Sequence, residues 1–88
     1  MGLAEFTSLV MALAASFRLS VTSWGRSPAR NAAVGGVGDS LHLVWLAVDV
    51  VLDDAVQTEA FVHAARRLGL EVQSEADHVH LQVPRAGR

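Results

Sequence analysis

The chain contains no cysteine. That excludes a disulfide framework, a thiolate zinc finger, an iron–sulfur site and a cysteine nucleophile. Any metal must therefore be held by His, Asp or Glu. Lysine is missing too: all seven basic residues are arginine, a mark of a GC-rich genome rather than of a function. The net charge of -2 provides no basic stripe for nucleic acid or an anionic membrane. No apolar run reaches the roughly 18 to 20 residues of a membrane span. The N-terminus is apolar, but Glu5 interrupts it and no Lys or Arg precedes it, which speaks against a secretory signal.

What is present is a globular composition. Hydrophobic residues make up 51% of the 88 residues and charged residues 18%. This length makes one small domain over residues 1–88, with a tail at Arg85–Arg88 expected to fray. A domain of this size buries only roughly 60–65% of its unfolded surface. A bound metal would add stability to so thin a core.

Hydrophobic periodicity predicts a helix over residues 3–17, with Leu3, Phe6, Leu9, Val10, Leu13 and Phe17 inward. A strand is expected at 19–23. From Trp24 to Ser40 the chain reads as one long irregular loop, broken by Gly25, Pro28, Asn31, Gly35, Gly36 and Gly38, and loops of that length are often functional. A buried strand follows at 46–52. Asp53 or Asp54 caps a helix over 55–68, with Phe61, Ala65 and Leu68 inward. Gly69 closes that helix. Strands at 70–74 and 78–83 form a hairpin across Glu75–Asp77, and Pro84 ends the second. The order implies an α+β domain, with two helices packed on a small antiparallel sheet.

Several residues stand out chemically. Asp49 lies inside the most apolar strand, where a carboxylate needs a cation, backbone donors or a metal unless it sits on the solvated face of an edge strand. His42 stands seven positions earlier, where the loop enters the strand. His78, His80 and Gln82 share one face of the last strand. Asp77 precedes His80 by three positions and Glu75 precedes His78 by three. Both frames pair an acid with a histidine, and the pattern alone does not choose between them. His63, mid-helix, reads as a surface or packing residue. Arg26 and Arg30 offer guanidinium groups for a substrate carboxylate. No GK[ST] follows the Gly35–Gly38 cluster, so it is not a phosphate loop. GxSxG is absent, which disfavours a serine triad at Ser40. Two histidines and one carboxylate fit a zinc site with a fourth position for water better.

The stretch Ser40-Leu-His42-Leu-Val-Trp45-Leu-Ala47-Val-Asp49 resembles the SxHxxGxAxD motif of the M15-type zinc peptidases. These are the D-alanyl-D-alanine carboxypeptidases and the L-alanyl-D-glutamate endopeptidases of phage lysins. The run from Asp77 to Val83 resembles their second motif, and Ser23–Ser27 resembles the segment bearing their substrate-binding arginine. The likeness spans about residues 20 to 83. It implies one zinc ion per chain, held by His42, Asp49 and His80 beside the sheet, with Asp77 as general base. It further implies that Arg26 and Ser40 engage the substrate, and it makes His78 a neighbour in the cleft. Two positions depart from the family: Trp45 replaces a glycine, and Gln82 replaces an acidic residue.

The implied activity is hydrolysis of peptidoglycan stem peptides or cross-links, by a phage or prophage product acting at the cell wall or held in the cytoplasm until released. The implied partners are peptidoglycan peptides and other phage virion proteins, without nucleic acid or membrane insertion. A second reading keeps the fold and the metal without catalysis, as a structural virion component or cell-wall-binding module. The hedgehog signalling domain is similar in that respect. A third is a metal-free adaptor whose histidines meet by chance.

Overall fold

A computed structural model describes residues 1–25, 27–33, 35 and 41–84. The predicted fray at 85–88 lies outside them. The elements are α1 (Leu3–Ser16), β1 (Leu19–Ser23), α2 (Pro28–Ala33), a 3-10 turn (Leu41–Val44), β2 (Ala47–Leu52), a second 3-10 turn (Ala55–Gln57), α3 (Thr58–Arg67), β3 (Glu71–Ser74) and β4 (Val79–Gln82). The strands form one antiparallel sheet in the order β1-β2-β4-β3. The architecture is α+β, as the sequence order implies. Among the described residues no helix is long and apolar enough to cross a membrane.

Alternation along the strands divides the sheet into two unlike faces. Val48, Val50 and Leu52 of β2, Val79 and Leu81 of β4 and Val72 of β3 join one apolar cluster with Phe6, Val10 and Leu13 of α1 and Phe61 and Ala65 of α3. Phe6 and Phe61 are fully buried, and burying a phenylalanine is worth about 1.5–3 kcal/mol. The apolar stripes of both helices are thus spent on this face. The opposite face is left to Asp49, His80 and Gln82.

The helix ends follow local chemistry. Asp54, not Asp53, is a cap, and it caps the 3-10 turn that precedes α3: its carboxylate accepts from the Val56 N–H at 3.0 Å. Gly69 has φ 89. The Gly69 N–H bonds to the Arg66 carbonyl and the Leu70 N–H to the Ala65 carbonyl, the paired closure that needs a left-handed residue.

The structure differs from the sequence reading at several places, one of them the helix expected over 55–68, whose first residues form the 3-10 turn Ala55–Gln57. The long loop contains a helix, α2. Ser27 Oγ accepts from the Arg30 N–H at 3.1 Å, and Pro28 holds the first helical position, where its missing N–H costs nothing. Phe17 ends α1 in extended conformation and is not part of the helix. Leu3 and Leu68, expected inward, are exposed; Leu3 is the first residue of α1 and Leu68 stands just past the end of α3.

Candidate metal centre

Asp49 sits in β2, which is interior: β1 flanks it on one side and β4 on the other. The edge-strand alternative is thereby removed, and its carboxylate is buried among compensating groups. Its register partner on β4 is His80. Antiparallel pairing puts both side chains on the same face, and His80 Nδ1 donates to Asp49 Oδ1 at 2.8 Å. His42 arrives from the 3-10 turn, and its Nε2 stands 3.4 Å from Asp49 Oδ2. The His42 and His80 rings are 5.3 Å apart. One ligand atom from each of His42, Asp49 and His80 lies within 4.8 Å of the others, so the three could hold a metal ion.

The hydrogen bonds around the histidines decide which nitrogen faces the centre. His42 Nδ1 lies 2.7 Å from the Trp24 carbonyl. A carbonyl only accepts, so Nδ1 carries the proton and Nε2 is turned to Asp49. A lone pair facing a carboxylate is repulsive unless a positive charge stands between them. Two ligands about 2.0–2.1 Å from a tetrahedral zinc are about 3.3–3.4 Å apart. The 3.4 Å between His42 Nε2 and Asp49 Oδ2 matches that spacing for this pair, and two imidazoles with one carboxylate are a donor set that suits such an ion.

Trp24 is the hinge between core and centre. Its ring meets Phe6 edge-on at 6.1 Å, its carbonyl holds His42, and its indole N–H donates to the Trp45 carbonyl at 3.0 Å. Trp45 itself has φ 65. The left-handed region favours glycine, so the family's glycine at this position has a backbone reason that Trp45 overrides. Its exposed indole lies against Gly25, where a Cβ would collide with the ring. Nearby, β1 bulges between Val21 and Ser23, and Thr22 Oγ1 donates to the Asp49 carbonyl at 3.3 Å. Bulges recur beside functional sites because they re-aim a side chain.

His78 lies on the same face as His80. Its Nε2 is 3.9 Å from Asp49 Oδ1, and its Nδ1 bonds to Asp77 Oδ1 at 2.7 Å. His78 thus bridges the exposed Asp77 to the buried carboxylate. His63 is exposed on α3, far from this chemistry in role. Arg26 and Ser40 lie outside the described residues. Arg30 lines an open groove with Thr22, Ser23, Gly25 and Trp45.

Burial pushes the Asp49 carboxyl pKa up. The His80 hydrogen bond, and the imidazoles of His42, His80 and His78 when they are protonated, outweigh it, and the net shift is below the ordinary 3.8. A depressed carboxylate stabilises the fold fully above its unfolded pKa and loses that contribution as pH falls through the folded one. The melting temperature of metal-free Asp49→Asn should therefore lie below wild type at pH 5–7 and converge on it well below pH 3.8. A gap that persists unchanged to the most acid point measured would show that Asp49 acts by shape and not by charge.

Sequence reasoning did not find Trp24 or Glu71. Trp24 acts through its backbone carbonyl, which leaves no mark in sequence. Glu71 had a signal, since a short hairpin fixes it opposite Gln82.

The sequence model of the peptidase M15 family matches residues 3–82. No curated protein and no solved structure matches the chain.

Proposed function

The chain belongs to the peptidase M15 family, and from that premise we propose that it is a zinc-dependent peptidase that hydrolyses peptide bonds in peptidoglycan stem peptides or cross-links. The observation that carries the proposal is the meeting of His42, Asp49 and His80 within 4.8 Å, drawn from the two motifs that resemble the family's own. Together they would hold one zinc ion. When bound, zinc supplies Lewis acidity, which acidifies water towards neutral pH and polarises a carbonyl.

The chain's own groups do the rest. Trp24 fixes the His42 tautomer. Asp77, held by His78 at 2.7 Å, takes the proton of water as the water oxygen attacks the scissile carbonyl carbon. It then delivers that proton to the leaving amine nitrogen. Arg26 and Ser40 are the proposed substrate contacts, and Arg30 borders the groove that an extended peptide would follow.

Release of new amino groups from purified sacculi tests this. The zinc-loaded wild type should release them, while chelated protein and His80→Ala should not. Equal background from all three would end the proposal. A second reading rests on Trp45, whose exposed indole covers Gly25 at the groove: a metal-stabilised module that does not cut. It predicts intact sacculi together with zinc-dependent stability.

A further inference from the structure

Gln82 occupies a position where the family usually has an acidic residue, yet a carboxylate lies one contact further out. We propose that Glu71 is a positioning residue for the metal centre, acting through Gln82 to hold the Nε2–H of His80 and leave Nδ1 as the nitrogen turned to the centre. The inference rests on the metal-centre reading above and adds to it a residue that neither motif contains.

The hydrogen bonds run in one direction only. The Glu71 carboxylate accepts, so Gln82 Nε2 donates to Glu71 Oε2, at 3.0 Å. The amide orientation follows: Gln82 Oε1 must face the other way, where His80 Nε2 lies 2.9 Å from it. An amide oxygen only accepts, so His80 Nε2 carries a proton. The remaining nitrogen, Nδ1, faces the Asp49 carboxylate, to which it donates when no ion is bound, and an ion would take the place of that proton. His80 can therefore offer only Nδ1 to an ion. Without Glu71, the Gln82 amide could rotate by half a turn and present its NH₂ to His80. That would favour the opposite tautomer, with the lone pair turned away from the centre.

The backbone places this relay. Glu71 pairs with Gln82 and Gln73 with His80 across β3–β4, while Asp49 pairs with His80 across β2–β4. Glu71, Gln82, His80 and Asp49 thus share one face and step across three strands. Gln82 is buried and Glu71 half-buried, so water competes weakly for these bonds. A negative charge behind the amide polarises it towards the imidazole. The neutral amide is thereby backed by a carboxylate at one remove, in the manner of the outer partners that orient metal-bound histidines.

Two measurements test this, one without metal. In the metal-free protein, proton–nitrogen NMR should show a His80 Nε2–H that is held by Gln82 and slow to exchange with water. Glu71→Ala should lose that protection. With Zn2+ as the probe, Glu71→Ala should weaken binding by about tenfold, at the lower end of the range for outer-partner substitutions. Glu71→Gln, which keeps an acceptor but no charge, should fall between. In a Gln82→Glu background the sign should reverse. There a carboxylate meets His80 directly and Glu71 only repels it, so Glu71→Gln should tighten zinc binding. Unchanged Nε2–H exchange in Glu71→Ala would overturn the inference, as would an equal effect of Glu71→Gln in both backgrounds. If the wild type bound no zinc, the metal-centre reading would fail, and the exchange measurement would still decide the role of Glu71.

Discussion

Zinc added to the metal-free chain should raise its melting temperature by about 10–20 °C, and His42→Ala should abolish that rise. Free zinc at a hundredfold excess over its dissociation constant stabilises the folded state by about 2.7 kcal/mol. For a domain of this size each kcal/mol moves the midpoint by about 4–8 °C. The effect is large because the core is small: the apolar face of one four-stranded sheet and two helices supplies most of the burial, and chains of this length often draw on a metal. His42 is the right residue to remove. It enters from a 3-10 turn outside the sheet, so its truncation leaves the strand register intact. It is also buried, so the substitution will lower stability without metal as well. The measured quantity is therefore the shift on adding zinc, compared between the two proteins. A shift of equal size in His42→Ala would place the ion elsewhere, and no shift in either would remove the metal centre from the fold's energetics.

The elements that the sequence announced are those whose pattern is written in side chains. The apolar spacing of α1, the unbroken apolar run of β2 and the Gly69 closure of α3 each depend on residues within one turn or one strand. Helix α2 escaped because its signals, Ser27 as cap and Pro28 at the first position, stand among glycines that read as loop. The site divides the same way. His42, Asp49 and His80 are named by spacing and resemblance, but their convergence depends on β2 lying between β1 and β4, a pairing of segments some thirty residues apart. The grip of Trp24 on His42 uses a backbone carbonyl, a group that every residue has, so no side chain announces it. Trp45 is the opposite case. Its departure from glycine is visible in the sequence, while the reason glycine suits the position, a φ of 65, belongs to the backbone alone.

Asp77→Asn should lower turnover on sacculi by about 10²–10⁴-fold, the usual worth of a general base, and leave zinc affinity unchanged. The two effects separate because Asp77 is not among the three residues that converge on the centre. Its side chain is 88% exposed, so the isosteric amide neither opens a cavity nor buries an unsatisfied group. What the amide loses is the capacity to accept a proton. The His78 hydrogen bond, and then the His78 charge, hold the Asp77 carboxyl below the ordinary 3.8. It is consequently ionised throughout the neutral range, as a base must be at the moment of attack, and its titration does not limit the rate above about pH 5. His78→Ala removes that bond, so the Asp77 carboxyl should move back towards its ordinary value. Glu75→Gln is the counterpart that decides between the two acid–histidine frames. Glu75 is exposed, and its backbone N–H closes the hairpin on the His78 carbonyl, so its side chain is free to change. If turnover collapses in Glu75→Gln and survives in Asp77→Asn, the proton is carried in the Glu75–His78 frame. If Asp77→Asn loses zinc together with turnover, Asp77 supports the ion and is not the base.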